Sequence, residues 1–146
     1  MKISTSRFGP VEFEPDDIIQ FPAGILGLNG CSELVLLADA QNDCLGWLQS
    51  ASQAQVALAV VSPRRFIPDY QVRVARDEIA SLQLDQVQDA QVLVVVSKNE
   101  RTVTLNLKAP LVINRSRRRG RQVVNNVDHP LQYELPFDQP LRKNVA

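Results

Sequence analysis

The chain has 146 residues, 45% of them hydrophobic and 22% charged, with a formal charge of zero. That length fits one domain able to bury ~68–70% of its unfolded surface, and no apolar run approaches the ~20 residues needed to cross a bilayer. Met1 to Arg7 lacks the apolar core and cleavage site of a secretory signal, and Cys31 and Cys44, the only two cysteines, are expected as reduced thiols in a cytosolic protein.

The dominant period is two. Lys2–Ser6 and Val11–Glu14 read as strands on either side of Phe8-Gly9-Pro10, whose Gly-Pro dipeptide marks a turn. Ile18–Phe21 is a third strand, ended by Pro22. Gly24, Gly27 and Gly30 then stand among apolar residues in a loop packed on the core; they lack the strand–GxGxxG–helix context and the Lys-Ser/Thr pair of a phosphate cradle. Leu34–Asp39, Leu45–Gln49 and Gln55–Val61 continue the strands. The unalternating Val56–Val61 run predicts burial on both faces.

After a strand at Tyr70–Val74, acids in the first turn and an Ile79/Leu82 pair predict one short helix near residues 77–83. Ala90–Lys98 is the strongest strand, joined through Asn99-Glu100 to Thr102–Leu105. Leu111–Asn114 and Arg121–Asn125 frame a turn at Ser116–Gly120. About ten short, mainly antiparallel strands with one helix predict a mostly β, closed or pseudo-barrel fold. Residues 1–137 are expected to form a single domain and 138–146 a loose C-terminal tail.

The segment Asn106–Asn114 (NLKAPLVIN) is the most informative stretch. Asn106 and Asn114 sit at the ends of apolar strand segments although asparagine is depleted in strands. Pro110 has no N–H for a ladder, so it belongs at an edge, a bulge or a strand's first residue. The pattern describes a bent strand whose asparagines either brace the bend or face a partner.

Catalytic patterns are missing. His129 precedes Pro130 with no nucleophile motif nearby. Cys31, Cys44 and His129 lack paired metal-ligand spacing, and Asp16-Asp17 and Asp77-Glu78 suit a strand end and a helix start. Neither enzyme activity nor a cofactor or metal is expected.

Charge is unevenly distributed. Residues 1–100 carry 7 Lys and Arg against 13 Asp and Glu, 101–127 carry 7 basic residues and no acid, and 128–146 carry 2 and 3. One-signed surfaces steer association. The run Arg115–Arg121 places five arginines in seven residues and could be a solvated edge hairpin, a protein contact or an RNA-binding hairpin of a small β-barrel. For RNA, the aromatic stacking platform is lacking, because no aromatic residue lies between Tyr70 and Tyr133. Trp47 reads as core. Phe66 and Tyr70, in a proline-framed loop after Arg64-Arg65, fit either an interface or the core.

Taken in order, Phe8-Gly9, Ile18–Gly27 (IIQFPAGILG), Trp47–Ser50 (WLQS), Ser62-Pro63, Asp69-Tyr70, NLKAPLVIN and Gly120–Val124 (GRQVV) resemble the flagellar assembly factor FliW family over roughly residues 1–125. The chain departs from that pattern at Leu28-Asn29, where an aromatic is common, and in its very basic RSRRRGR. The resemblance implies a non-enzymatic partner switch: binding of cytoplasmic flagellin, alternatively binding and antagonism of the translational repressor CsrA, and hence coupling of flagellin synthesis to export. It implies no direct nucleic-acid or membrane partner and a monomer when free. Flagellin contacts are expected at Phe66, Tyr70, Asn106 and Leu107, with Pro110 and Asn114 shaping the surface. Repressor contacts are expected at Glu12, Glu14, Asp16 and Asp17, whose charge suits a basic RNA-binding partner.

Overall fold

The computed structural model describes residues 1–28, 30–98 and 100–135; the expected tail at 138–146 and Asn99 of the expected turn lie outside the described residues. Among the described residues the strands are β1 (Lys2–Thr5), β2 (Gly9–Glu12), β3 (Ile18–Gln20), β4 (Glu33–Ala38), β5 (Leu45–Ser50), β6 (Ala57–Val61), β7 (Ala90–Lys98), β8 (Val103–Leu105), β9 (Leu111–Asn114), β10 (Arg119–Gln122) and β11 (Tyr133–Glu134), with one α-helix, α1 (Arg76–Ala80), and three single-turn 3-10 helices.

Seven strands close on themselves in the order β3-β4-β5-β6-β7-β9-β10, because β7 pairs with both β6 and β9 while β10 returns to β3. Every pairing around this barrel is antiparallel except β10–β3. Alternation then fills the inside: Ile19, Leu34, Leu48, Val60, Leu93, Leu111 and Ile113 form one cluster with Phe21 and Ile25.

The opposite faces of the same strands are covered too. Val94 and Val96 of β7 join Leu45, Val61, Tyr70, Leu105, Leu107 and Leu135 in a second cluster outside the barrel. Here β8 lies along β7, β11 along β8, and the Phe66–Val72 loop packs across them. Leu82, Val112 and Val123 form a third cluster beneath the turns after α1. Burial on two sides accounts for the unalternating runs in β6 and β7.

The structure shifts several expected boundaries. The first turn falls at Ser6–Phe8, since Gly9 and Pro10 already belong to β2, where Pro10 faces Ser4 in a two-stranded sheet. A strand that pairs on one side only tolerates the missing N–H. Tyr70–Val74 forms no strand: its backbone is held by an asparagine side chain, with Arg73 N donating to Asn125 Oδ1 at 3.0 Å. The helix is shorter than expected and starts one residue earlier; a turn follows it, with Gln83 at φ 53°. The β9–β10 turn occupies 115–118 rather than Ser116–Gly120. Gly120 lies within β10, opposite Ile113, and glycine is needed there because a Cβ would stand 2.5 Å from the buried Phe21 ring. In the glycine loop, Gly24 and Gly27 have φ of 76° and 90°, which a side chain would strain.

Candidate functional site

Residues 103–114 run along one edge of β7. Leu105 faces Val96 and Leu111 faces Leu93, so the five residues Asn106–Pro110 occupy the place opposite only Val94 and Val95. The excess chain bulges outward. Asn106 N donates to Val95 O at 3.0 Å, and Asn106 Oδ1 accepts from Lys108 N at 3.2 Å and Ala109 N at 3.1 Å. That is an Asx turn, in which a short side chain supplies the acceptor that the interrupted ladder lacks.

Pro110 marks this bulge, not a sheet edge. β9 has β7 on one side and β10 on the other, and Pro110 is buried with its carbonyl accepting from Val123 N at 3.0 Å. Its missing N–H falls where the chain has already left β7. Asn125 N reaches Lys108 O at 2.8 Å, which carries the β9–β10 register past the proline.

Asn114 is 2% exposed. Its Oδ1 accepts from Ser116 N and Arg117 N, while its Nδ2 donates to Leu82 O and Gln83 O. It therefore starts the β9–β10 turn and fastens the turn after α1 to the barrel. Asn125 does the equivalent at the other end and escaped the sequence reading. Fully buried, it accepts from Arg73 N and Val127 N and donates to Gln71 O and to the Tyr70 hydroxyl. The same signal, an asparagine ending a strand pattern, was present at Asn125.

Tyr70 is 1% exposed and its hydroxyl donates to Leu107 O at 2.7 Å. Burial pushes the phenol above its ordinary pKa of 10.0, against the opposing pull of the Asn125 hydrogen bond. The His129 ring packs on it with centroids 4.7 Å apart. Leu107 is fully buried, whereas Phe66 and Asn106 are half-buried. Of the residues expected at a flagellin contact, then, Tyr70, Leu107, Pro110 and Asn114 lie in the interior and Phe66 and Asn106 reach the surface.

Glu12, Glu14, Asp16 and Asp17 are all exposed. Asp17 Oδ2 accepts from Glu14 N at 2.8 Å, which fixes the tight turn leading into β3. β3 neighbours β10, so this acidic turn abuts the arginine hairpin, and Arg118 Nη2 donates to Asp17 O at 3.0 Å. The opposite charges are adjacent. The remaining arginines turn to the segment after α1: Arg115 to Gln88 O, Arg117 to Gln83 Oε1 and Asp85, Arg119 to Ser81 O and Arg121 to Ser81 Oγ. Their guanidinium groups meet protein acceptors. Among the described residues, no group of three or more His, Cys, Asp or Glu could hold a metal ion, and no helix is long and apolar enough to cross a membrane.

The FliW protein family model matches residues 2–135. The chain belongs to the FliW family. The flagellar assembly factor FliW of Natranaerobius thermophilus is 35% identical over 150 residues, covering 100% of this chain and 99% of that protein. That of Syntrophus aciditrophicus is 37% identical over 139 residues, covering 92% and 87%. A crystal structure of the flagellar assembly factor FliW superposes with a TM-score of 0.85 at 28% identity, covering 95% of this chain and all of that one. The sequence signature of the FliW family can now be read physically. Phe21 of FPAGILG lies against Gly120 of GRQVV, and the asparagines of NLKAPLVIN close turns.

Proposed function

We propose that this flagellar assembly factor works without catalysis in the cytoplasm, as a switch between two protein partners. It binds flagellin and, when flagellin has been exported, binds and antagonises the translational repressor CsrA. Flagellin thereby sets the free concentration of the factor available to the repressor, a linkage that requires no chemical step. FliW-family membership supports the flagellar role. The observation that carries the repressor half is the exposure of all four acids, Glu12, Glu14, Asp16 and Asp17, on one short turn-forming segment.

The flagellin half is placed at the surface above the Asn106–Pro110 bulge. Phe66 and Asn106 supply contact, Tyr70, Leu107 and Pro110 hold that surface in shape from beneath, and Asn114 shapes it from the far end of β9. A buried Tyr70 hydroxyl bonded to Leu107 O links the Phe66 loop to the bulge, so the two halves of the surface keep a fixed spacing. Electrostatics would favour a basic partner at the acidic turn and set its on-rate.

Co-purification with flagellin and with the repressor, each alone and then in competition, tests the switch. Reversing all four acids to lysine is expected to weaken the repressor complex and spare flagellin; unchanged repressor affinity would remove the acidic turn from the reading. Asn106→Ala separates contact from brace. Weaker flagellin binding at unchanged melting identifies a contact, and lower melting with no partner-specific loss identifies a brace.

A further inference from the structure

A groove of about 550 Å³ runs over the outer face of β5, β6 and β7. Trp47 forms its wall. The residue opposite Trp47 on β6 is Ala59, and the residue opposite Gln49 is Ala57, so two small side chains leave the floor low. Val96 of β7 extends that floor. Asp39 fixes the wall: its Oδ1 accepts from the Trp47 indole at 3.0 Å and its Oδ2 accepts from Gln41 N and Asn42 N.

Two cations line the groove. Arg7 lies over the Trp47 ring, 4.2 Å from its centroid, and Lys98 belongs to the other side, on β7. Among the described residues neither is within salt-bridge distance of an acid; the one ion pair found joins Arg117 to Asp85. Asp39, the one carboxylate in the lining, has both oxygens hydrogen-bonded; the Trp47 indole first, and to a lesser extent the Arg7 charge, hold it ionised below the usual carboxylate range, so it offsets part of the Arg7 charge. The groove therefore combines an aromatic wall and an apolar floor with two cations against one carboxylate, a net positive lining.

An adjoining cleft shares Arg7 and Ala57 and reaches Gln49. The Gln49 amide nitrogen faces three carbonyls, those of Ser50, Gln53 and Ala54, which fixes its orientation and leaves Oε1 buried without a partner. An orphaned carbonyl is costly.

We propose that this groove docks an acidic peptide segment of a protein partner, with one apolar side chain lying on Ala57, Ala59 and Val96 against Trp47 and carboxylates at Arg7 and Lys98. Charge complementarity selects that occupant over a basic or neutral segment, and the aromatic wall supplies the anchoring contact. None of the lining residues is among those assigned to the flagellin or repressor contacts, so the proposal does not depend on either.

Trp47 is the only tryptophan, so its emission reports directly on the groove. The probe is the capped peptide Asp-Glu-Leu-Phe-Glu-Asp, titrated at low salt beside the same peptide with lysine in place of every acid. A saturable change with the acidic peptide alone is expected, weakened by added salt and weakened about tenfold or more by Lys98→Glu or Arg7→Gln. Lys98 is exposed, so Lys98→Glu keeps the test sound should Arg7→Gln disturb the hairpin. Unchanged emission up to millimolar peptide, equal response to the lysine peptide, or affinity indifferent to both substitutions would overturn the proposal. So would sedimentation showing that a second copy of the chain fills the groove.

Discussion

The asparagine-latched bulge and the arginine hairpin stand at opposite ends of β9 and use polar side chains in opposite ways. In the first, Asn106 and Asn125 close turns, and Asn125 is fully enclosed with every amide donor and acceptor matched, as Asn114 is at the base of the hairpin. In the second, long cationic chains reach acceptors at 3.0–3.4 Å from exposed or half-buried positions. The number of bonds is similar but the dielectric differs. Removing a partner from a buried network strands groups that water cannot reach, while at the surface water replaces what is lost. What distinguishes the regions energetically is enclosure, and the louder sequence signal, five arginines, marks the weaker region.

The sharpest way to break this comparison is Asn125→Ala, expected to destabilise by about 3 kcal/mol because it orphans backbone groups of Arg73, Val127 and Gln71 together. Chemical denaturation measures it; a loss below about 1 kcal/mol would mean the buried network is no stronger than an exposed one. Gly120→Ala comes next, at roughly 2 kcal/mol, since the added methyl presses on the buried Phe21 ring. It tests whether the arginine hairpin is held by its glycine rather than by its charges.

Tyr70→Phe should lose about 1 kcal/mol at neutral pH through the hydroxyl shared by Leu107 and Asn125. It also carries a pH signature. The folded phenol pKa is raised, so its contribution is fully present below 10.0 and falls away as pH rises through the folded value. The variant is therefore expected to show a shallower alkaline loss than the parent. Arg117→Ala should change stability by no more than about 0.5 kcal/mol, checked by the same melts at two salt concentrations. A larger, salt-dependent loss would promote its pairing with Asp85 from surface decoration to a structural clamp.

Much of the fold could be read from the chain because period-two alternation and unbroken apolar runs report burial directly. The bounds of β7 and β9 coincide with their sequence reading for that reason. Places where local chemistry and tertiary packing disagree could not be read that way. Gly9-Pro10 carries turn chemistry, but β2 pairs on one side only and accepts it. Gly120 also looks like a turn residue until Phe21, far away in sequence, is placed against it. Tyr70–Val74 alternates like a strand, yet its backbone is held by Asn125 across the fold. For the candidate site, Asn106 and Asn114 were legible as misplaced polar residues. That the acidic turn and the basic hairpin would meet was not, because only barrel closure brings them together.

That closure is thin. β10 and β3 share a single register pair, Arg119 opposite Gln20, with Gln20 N donating to Arg118 O at 2.9 Å. The two strands are almost a hundred residues apart in sequence, so the contact closes a very long loop for few hydrogen bonds. In kinetic terms the seam should be a late step of folding and among the earliest barrel positions to open. The Gln20 amide is expected to exchange with deuterium well before the amides of β5 or β6. Each such opening would separate the acidic turn from the arginine hairpin, making the local charge pattern a fluctuating quantity tied to the breathing of the barrel.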